Sequence, residues 1–345
     1  MKILVAISGG PKSLVTAWLL KKQGFQVRGI HFDLSGSEKR ITRLQELERK
    51  LGFQIQCIPA RDEWLRVSKL EIESAGERGA RFNPKTAFHT RLLLPHLLEA
   101  AHQFKSDRIA GGYAVTLQED PSAGLTRVVQ GAGSDLDAVL LLAGCGQNEL
   151  SRMMFPVGSI PASMLEKLSL EVAPEETTRD FEIDWNRMAE DPELGPAMRD
   201  REIYKVMTDT RVLLGESPLQ SFESGGVWKH PLHPEKTYRV KAFFRAESVV
   251  EVAEDFDAVY RELQLDEAYW FVRPDPGMRE IRTGLLFQGV EREIPVRLVQ
   301  YEGNRLKVVL EEPVKVSGMS LEKGQGVVWL ENQEILGGAR VLVIK

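Results

Sequence analysis

The chain has 345 residues, of which 43% are hydrophobic and 28% are charged, and its formal net charge is −5. This length and apolar content exclude a disordered or fibrous protein and predict one large core with at least one smaller core. The negative charge gives no general attraction to polyanions, so any binding of nucleic acid would depend on a local basic patch.

The first half of the chain alternates between strand-like and helix-like patterns. Lys2 to Ile7 is a short β-branched run, and apolar residues then recur at helical spacing from Ser13 to Gly24. This alternation is typical of parallel βαβ units and predicts a doubly wound α/β domain over residues 1–170. Its further strands are predicted at Phe25 to Phe32, Phe53 to Ile58, Arg108 to Gly112 and Val139 to Ala143, and its further helices at Ile41 to Leu51 and about Thr86 to Phe104.

The second half of the chain divides into two regions. Residues 171–281 contain acidic clusters and several prolines, which predict an irregular middle segment, either a helical linker or a small domain. Residues 282–345 contain short strands separated by turn residues, which predict a C-terminal antiparallel β-barrel. These strands are Gly284 to Phe287, Ile294 to Tyr301, Leu306 to Leu310, Gly326 to Leu330 and Ala339 to Ile344.

The loop after the first predicted strand has the composition of an anion site. A strand–loop–helix connection places backbone N–H groups at the positive end of the helix dipole. Glycines allow the backbone to approach a phosphate closely, and serines add hydroxyl donors. Ser8, Gly9, Gly10 and Ser13 supply these groups here. A βα turn can also carry small residues only to turn, so the loop alone does not decide between the two interpretations.

Residues of this loop and six further segments resemble one enzyme family. VAISGGPKSLVTAWLLKKQGFQVRGIHF is similar to the SGGxDS loop of PP-loop ATP pyrophosphatases, and most of all to that of the tRNA-specific 2-thiouridylase family. The resemblance implies a PP-loop nucleotide-binding domain followed, at the far end, by a β-barrel. The other similar segments are Phe82 to Phe88, Ile109 to Ala114, Gly131 to Val139, Met154 to Gly158, Glu311 to Val314 and Ile335 to Gly338.

The resemblance also implies ligands and the residues that bind them. An adenine nucleotide, ATP or AMP with or without magnesium, is expected at Ser8, Gly9, Gly10, Lys12, Ser13, Phe32, Gly111 and Gly112. Contact with RNA, in this family tRNA, is expected at Arg81, Lys85 and Arg91. Asp137 is retained at an acidic position of the family's pattern.

Several positions depart from the family's pattern. Lys12, preceded by Pro11, stands where the family's loop has an aspartate, so a cation that can pair with phosphate replaces a carboxylate. Pro11 also removes one backbone donor. The first catalytic cysteine of the family falls on Lys85 and the next cysteine of that motif on Phe88, and the chain has no cysteine after Met154. Persulfide transfer requires a thiolate of lowered pKa, which these residues do not provide.

Cys57 and Cys145 are the two cysteines of the chain. Cys57 lies in a predicted strand as a small hydrophobic residue, and Cys145 follows an apolar run without falling on a cysteine position of the family. Their spacing argues against a disulfide framework and against a thiolate-bound metal, so no metal site is expected. No apolar run reaches the roughly 18 residues of a membrane span. We therefore expect a reduced, cytoplasmic protein without a membrane contact.

Histidines provide two further candidates. His89 is predicted near the start of the long helix, where it can face the cleft, whereas His96 and His102 are expected to be partly buried or solvated. His230 and His233 have an HxxH spacing, but Pro231 between them prevents a regular helix, and a surface loop is the simpler interpretation.

Two functions agree with these observations. One is a 2-thiouridylase-like protein that binds an adenine nucleotide, RNA or both, and has lost or altered persulfide-based sulfur transfer through a degenerate active site. The other is an active ATP-dependent tRNA uridine 2-sulfurtransferase that takes sulfur from an external donor such as a sulfur-carrier protein. The sequence leaves open whether the protein is an enzyme.

Overall fold

The computed structural model describes residues 1–35, 38–77, 82–130, 136–172, 193–194, 203–218, 227–244, 247–254, 258–275, 278, 280–287, 293–300, 305–316 and 326–344. The first of these ranges form a domain of alternating strands and helices. In chain order its elements are β1 (Lys2–Ala6), α1 (Pro11–Lys22), β2 (Gln26–Asp33), α2 (Glu38–Leu51), β3 (Ile55–Pro59), α3 (Arg61–Glu77), α4 (Pro84–Ala87), a π-helical segment (Phe88–Leu93), α5 (Leu94–Gln103), β4 (Arg108–Ala110), β5 (Thr116–Asp120), β6 (Leu125–Val129), α6 (Leu136–Leu140), α7 (Gln147–Leu150), β7 (Met153–Met154) and α8 (Ala162–Val172).

Five of these strands form a parallel sheet in the order β3-β2-β1-β4-β7. Both faces of the sheet are covered by helices, as the near-continuous apolar runs of its strands require. One face packs against α1, α2 and α8, and the other against α3 and α5. This arrangement confirms the doubly wound α/β fold predicted from the sequence.

The apolar run Val139 to Ala143 was predicted as a strand, and this prediction is wrong. The chain forms α6 and then a turn there. The run is only five residues long, and periodicity alone does not distinguish a short buried strand from a short buried helix. Val139 and Leu142 are nevertheless buried, in a core that the domain shares with the C-terminal barrel.

The middle region, predicted as an irregular segment that is either a helical linker or a small domain, contains a five-stranded sheet. Its strands are β8 (Ile203–Thr208), β9 (Leu213–Pro218), β10 (Val227–His230), β11 (His233–Phe244) and β12 (Val249–Glu254). They pair in the order β10-β11-β12-β8-β9, antiparallel except for the parallel pair of β12 and β8. A small core around the fully buried Trp228 and Tyr204 supports the sheet.

The C-terminal region is a closed antiparallel barrel, as predicted. Its six strands are β13 (Ala258–Trp270), β14 (Glu280–Phe287), β15 (Ile294–Gln300), β16 (Leu306–Val316), β17 (Gly326–Glu331) and β18 (Glu334–Ile344). Pairing of β13 with both β16 and β18 closes the barrel. Gly337 is required on β18 because a side-chain carbon there would lie 2.8 Å from the indole ring of Trp329.

The barrel and the first domain share a sheet and a core. Glu334 and Ile335 at the start of β18 pair with Val129 and Val128 of β6, so the β5–β6 hairpin extends the barrel sheet. Arg127 on β6 forms a hydrogen-bonded ion pair with Glu334 at 2.6 Å. Within the described ranges, no helix combines the length and the apolar composition that crossing a bilayer requires.

Candidate nucleotide and RNA site

The glycine loop lies where the order of the parallel sheet reverses. Strands β1 and β4 are neighbours, and β2 and β7 lie outside them on opposite sides. The connections after such strands leave a crevice at their carboxyl ends, which is the usual ligand position of open α/β sheets. Residues 7–10 follow β1, and Gly111 and Gly112 follow β4. The two predicted glycine segments therefore meet at this crevice.

Local signals fix the beginning and the end of α1. Gly10 is the N-cap, and Pro11 occupies the first helical turn, where its missing N–H costs no hydrogen bond. Gly24, with φ of +84°, ends the helix in a left-handed conformation that favours glycine. The N–H groups of Gly24 and Phe25 return to the carbonyls of Lys21 and Leu20. The helix axis is therefore held with its positive end at the loop.

The loop retains backbone donors that are free to bind an anion. The Gly10 N–H donates to Ser8 Oγ at 3.3 Å, and the Ser13 N–H donates to the Gly10 carbonyl at 3.1 Å. The N–H groups of Gly9 and Lys12 have no hydrogen-bond partner among the described residues. Gly9 has φ of +83°, a conformation that glycine adopts without strain.

The two serines of the loop are linked to each other. Ser8 Oγ donates to Ser13 Oγ at 3.1 Å, and Ser13 Oγ donates to the Gly10 carbonyl at 2.9 Å. Ser13 is buried, whereas Ser8 and the side chain of Lys12 are exposed. The hydroxyl pair stiffens the turn, and the exposed ammonium of Lys12 stands in its first helical turn.

Gly112 packs directly on the loop. A side-chain carbon at this position would lie 2.5 Å from the backbone nitrogen of Ser13 and 2.7 Å from the carbonyl carbon of Lys12. Thr16 Oγ1 donates to the Lys12 carbonyl at 2.8 Å and lies 3.4 Å from the Gly111 carbonyl oxygen. The end of β4 thus supports the first turn of α1.

The end of β2 brings buried polar groups to the same edge of the sheet. His31 Nδ1 lies 2.7 Å from the Ile7 carbonyl oxygen, and burial lowers the pKa of His31. Asp33 is buried and accepts hydrogen bonds from the N–H and hydroxyl of Ser35. Phe32 lies between them in the strand and is buried in the core, with its ring stacked on His96 at 6.0 Å.

Lys85 and Phe88 lie on the helix that begins at α4. Asn83 caps this helix by accepting the Thr86 N–H at 3.0 Å, and Pro84 takes the first helical position. The Lys85 side chain is half-buried. Phe88 is buried, with its ring edge-on to Trp64 at a centroid distance of 5.6 Å.

Of the other two residues predicted to contact RNA, one is paired with a carboxylate and one lies outside the described ranges. Arg91 is on the π-helical segment and forms an ion pair with Glu71 at 2.9 Å. Arg81 lies outside the described residues. Asp137 is within α6, but its side chain is not described.

His89 and Tyr113 form a pair beside the loop. His89 Nδ1 lies 2.8 Å from the Tyr113 hydroxyl, and the rings meet edge-on at 5.4 Å. Burial, with a smaller effect from the nearby cation of Lys85, lowers the pKa of His89 to about 3. Tyr113 directly follows Gly112, so the pair adjoins the contact between β4 and α1. Burial raises the pKa of Tyr113, so its hydroxyl stays protonated.

Both thiols are held in their protonated form. Burial raises the pKa of the Cys145 thiol to about 12. Burial also raises the pKa of Cys57, with a smaller effect from Asp33. Neither cysteine therefore has the lowered pKa of a reactive thiol.

The HxxH histidines lie at the turn between β10 and β11. Their ring centroids are 5.1 Å apart, and His230 Nδ1 accepts the Leu232 N–H at 3.1 Å. His233 lies 3.4 Å from Glu235. In the part of the chain that the structure describes, no three His, Cys, Asp or Glu side chains come together as a group that could hold a metal ion.

Sequence reasoning did not single out Tyr113, His31 or Asp33. A polar HxD pattern inside the apolar strand GIHFDL signals buried polar groups that need partners. Tyr113 gives a weaker signal, because a tyrosine after a glycine pair is equally compatible with simple packing. Only the fold shows that it meets a histidine 24 positions earlier.

Comparison with known proteins gives a consistent group of relatives. Residues 1–179 match the family model described as tRNA methyl transferase HUP domain. The chain is 24% identical over 362 residues to the tRNA-specific 2-thiouridylase MnmA of Pelobacter propionicus, covering 99% of the chain and 97% of that protein. It is 28% identical over 180 residues to the enzyme of the same name from Leptothrix cholodnii, but this match covers 50% of the chain and only 47% of that protein.

Among solved structures, a 4-thiouridine synthetase in complex with RNA and bound ATP aligns with a TM-score of 0.35 and 13% identity. This alignment covers 52% of the chain and 42% of that protein.

Proposed function

Because the chain belongs to the tRNA methyl transferase HUP domain family, we propose that it binds an adenine nucleotide and tRNA without transferring sulfur through cysteines of its own. The observation that carries the proposal is the loop between β1 and α1. At the positive end of a helix, next to an exposed ammonium, it has the N–H groups of Gly9 and Lys12, for which the described residues supply no partner. Such a cradle suits the phosphates of ATP or AMP.

The nucleotide would lie along the crevice between the ends of β1 and β4. Because Gly112 has no side chain, the backbone that follows β4 packs directly on the first turn of α1 at Ser13. The Lys12 ammonium would pair with a phosphate oxygen, in a position where the resembling family has a carboxylate. This exchange favours nucleotide binding that depends less on magnesium.

The RNA side of the proposal rests on Lys85 and on the family. Two similar proteins are named tRNA-specific 2-thiouridylases. Lys85 is a half-buried cation on the helix whose His89 contacts Tyr113 beside the crevice. A lysine can hold a phosphate of the RNA backbone but cannot carry a persulfide. Since burial raises the pKa of both Cys57 and Cys145, neither thiol is prepared to replace the missing nucleophile.

Calorimetric titration of ATP and AMP, with and without magnesium, tests the nucleotide site. Lys12→Glu should weaken ATP binding roughly ten- to hundred-fold, the range expected for a hydrogen bond to a charged group. Lys21→Glu, at the opposite end of the same helix, is the matched control and should bind like the wild type. An unchanged affinity of Lys12→Glu would remove this residue from the site. A wild-type protein that bound neither nucleotide would refute the proposed function.

A transfer assay tests the loss of sulfur chemistry. With ATP, magnesium, a sulfide source and tRNA, we expect tRNA to be bound but no 2-thiouridine to form. Formation of 2-thiouridine would instead establish the alternative, an active sulfurtransferase that uses an external donor.

A further inference from the structure

The hydrogen bond between His89 and Tyr113 defines which imidazole nitrogen carries the proton. The Tyr113 hydroxyl is buried and has no hydrogen-bond partner other than His89 Nδ1 among the described residues. A buried hydroxyl hydrogen needs an acceptor, so the tyrosine donates and Nδ1 accepts. A neutral imidazole that accepts at Nδ1 carries its hydrogen on Nε2.

The Nε2 atom of His89 is not fully enclosed by the protein. The His89 side chain is half-buried, and its Nε2 has no hydrogen-bond partner in the described part of the chain. Because Nε2 lacks such a partner and is still not among the fully buried unpaired atoms, part of its surface is accessible. The N–H of this nitrogen therefore points to a region that water, or a ligand, can reach.

Three neighbouring features place His89 beside the crevice of the proposed site. Lys85 lies one helical turn before His89 on the same helix face and is close enough to affect the charge of the imidazole. Tyr113 follows Gly112, which contacts the first turn of α1. His89 also belongs to a π-helical segment, and such segments frequently occur at functional sites.

We propose that His89 is a neutral hydrogen-bond donor to an oxygen atom of the ligand bound in the crevice, and that Tyr113 is the positioning residue that fixes its tautomer. This inference rests on the proposed function, because it assigns a residue to the same site. The acceptor is a carbonyl or phosphate oxygen, and its source is either the bound nucleotide or the RNA. Lys85 contributes a positive charge nearby, whereas His89 contributes a hydrogen bond of defined direction from its Nε2–H group.

Nitrogen-15 NMR of the imidazole in the free protein tests the tautomer. We expect the signature of a proton on Nε2 alone, unchanged between pH 5 and pH 8, because burial keeps the pKa of His89 near 3. The groups that face this ring are Lys85 on its own helix and Tyr113 from the end of β4. In Tyr113→Phe we expect a mixture of tautomers. A proton on Nδ1 in the wild type would overturn the assignment.

Two substitutions at His89 distinguish the role of its Nε2–H donor from the role of its Nδ1 contact with Tyr113. Asparagine places its amide near the position of Nδ1 and can still accept from Tyr113, but it does not reach the position of Nε2. Glutamine reaches that position and keeps a donor there. We expect His89→Asn to weaken binding about three- to ten-fold, as for one lost hydrogen bond, and His89→Gln to remain close to the wild type. His102→Gln, at an exposed histidine near the end of α5, is the control.

Separate titrations with ATP and with tRNA identify the source of the oxygen. A loss of affinity confined to one ligand assigns the contact to that ligand. Equal affinities of His89→Asn and the wild type for both ligands would overturn the donor role. If the wild type bound neither ligand, the proposed function would fail as a whole, while the tautomer measured in the free protein would still stand or fall by its own spectrum.

Discussion

Gly112 is the position where one added carbon would disturb the loop most directly. Alanine there would place its Cβ 2.5 Å from the backbone nitrogen of Ser13, a distance that forces the backbone to move. Alanine at Gly10 would meet nothing closer than Ser8 Oγ at 3.5 Å, and Gly10 has an ordinary φ of −75°. Of these two glycines, only Gly112 therefore has to lack a side chain for packing.

We predict that Gly112→Ala lowers the free energy of unfolding by about 1–3 kcal/mol, the usual effect of overpacking. Gly10→Ala should lower it by only about 0.5 kcal/mol, because alanine is a poorer N-cap residue than glycine. Urea unfolding of both variants and the wild type provides the comparison. Equal stability of Gly112→Ala and Gly10→Ala would show that the end of β4 adapts without cost.

Cys145 gives a prediction about alkaline pH. Burial raises the pKa of its thiol to about 12 in the folded protein, whereas an unfolded cysteine ionises near about 8.5. A raised pKa stabilises the folded state fully below about pH 8.5, and this contribution is lost as the pH rises toward about 12. The free energy of unfolding should therefore fall above about pH 9.

The Cys145→Ala variant should show a shallower decrease between pH 8 and pH 10.5 than the wild type. Tyr113 and Tyr269, whose pKa values burial also raises, add a decrease of the same sign in both proteins. Urea unfolding at several pH values measures the difference. Identical slopes would mean that the Cys145 thiol ionises as easily in the folded protein as in the unfolded chain.

At the level of elements, the strands of the parallel sheet were the most predictable part. Runs such as Lys2 to Ile7 are apolar because strands of such a sheet are buried on both faces. The long helix predicted from about Thr86 to Phe104 is also present, as α4, the π-helical segment and α5. The π-helical geometry from Phe88 to Leu93 could not be foreseen, because the residue pattern of one wider turn differs little from that of an α-helix.

The strands of the middle region were missed for a different reason. Prolines and acidic residues dominate the segment before β8, and they concealed the alternation of the strands that follow. In β12, Val250 and Val252 are buried while Glu251 between them is not, which is the period of a half-buried strand. In β13, Leu263 and Leu265 alternate in the same way beneath a charged outer face. A search for alternating apolar and polar residues, centred on these two runs, would have predicted both strands.

The candidate site was partly predictable from the sequence. The loop of Ser8 to Ser13 follows from local composition, since a βα connection has a fixed dipole geometry. The contact of Gly112 with Ser13 and the pairing of His89 with Tyr113 depend on packing between distant segments. No local pattern encodes them.

Gln147 of α7 connects two elements of the first domain to the barrel. Its side chain accepts the Thr126 N–H at 2.7 Å, and it donates to the carbonyls of Thr126 at 3.0 Å and Phe271 at 2.7 Å. We predict that Gln147→Leu lowers the free energy of unfolding by about 1–3 kcal/mol, because it leaves partly buried backbone groups unpaired.

Asn148→Leu is the matched control for Gln147→Leu. Asn148 is the next residue of the same short helix, and its side chain is exposed. Thermal and urea unfolding of the two variants distinguish the outcomes. Equal loss of stability would mean that the change of helix composition matters and the three hydrogen bonds do not.

On the scale of the whole molecule, one hydrophobic core joins the first domain to the barrel. Val115, Val128 and Leu142 of the first domain pack in the same cluster as Phe271 and Val328 of the barrel. All five side chains are buried. The first domain therefore has an apolar face that the barrel covers.

We predict that a fragment of residues 1–172 exposes this face. It should bind the dye ANS and associate at concentrations at which the full chain does neither. Dye fluorescence and sedimentation of the fragment and the full chain, measured side by side, test this expectation. A monomeric fragment that binds no dye would show that the first domain rearranges to cover its own core.

The pairing of β6 with β18 sets an order for events on the ribosome. Arg127 and its partner Glu334 are 207 positions apart. At about 5–20 residues per second, the second of these strands emerges roughly 10–40 s after the first. During that interval the edge of β6 has no strand to pair with, and the apolar face beside it is exposed to water. The edge of β6 that pairs with β18 therefore stays unpaired until its distant partner has been made.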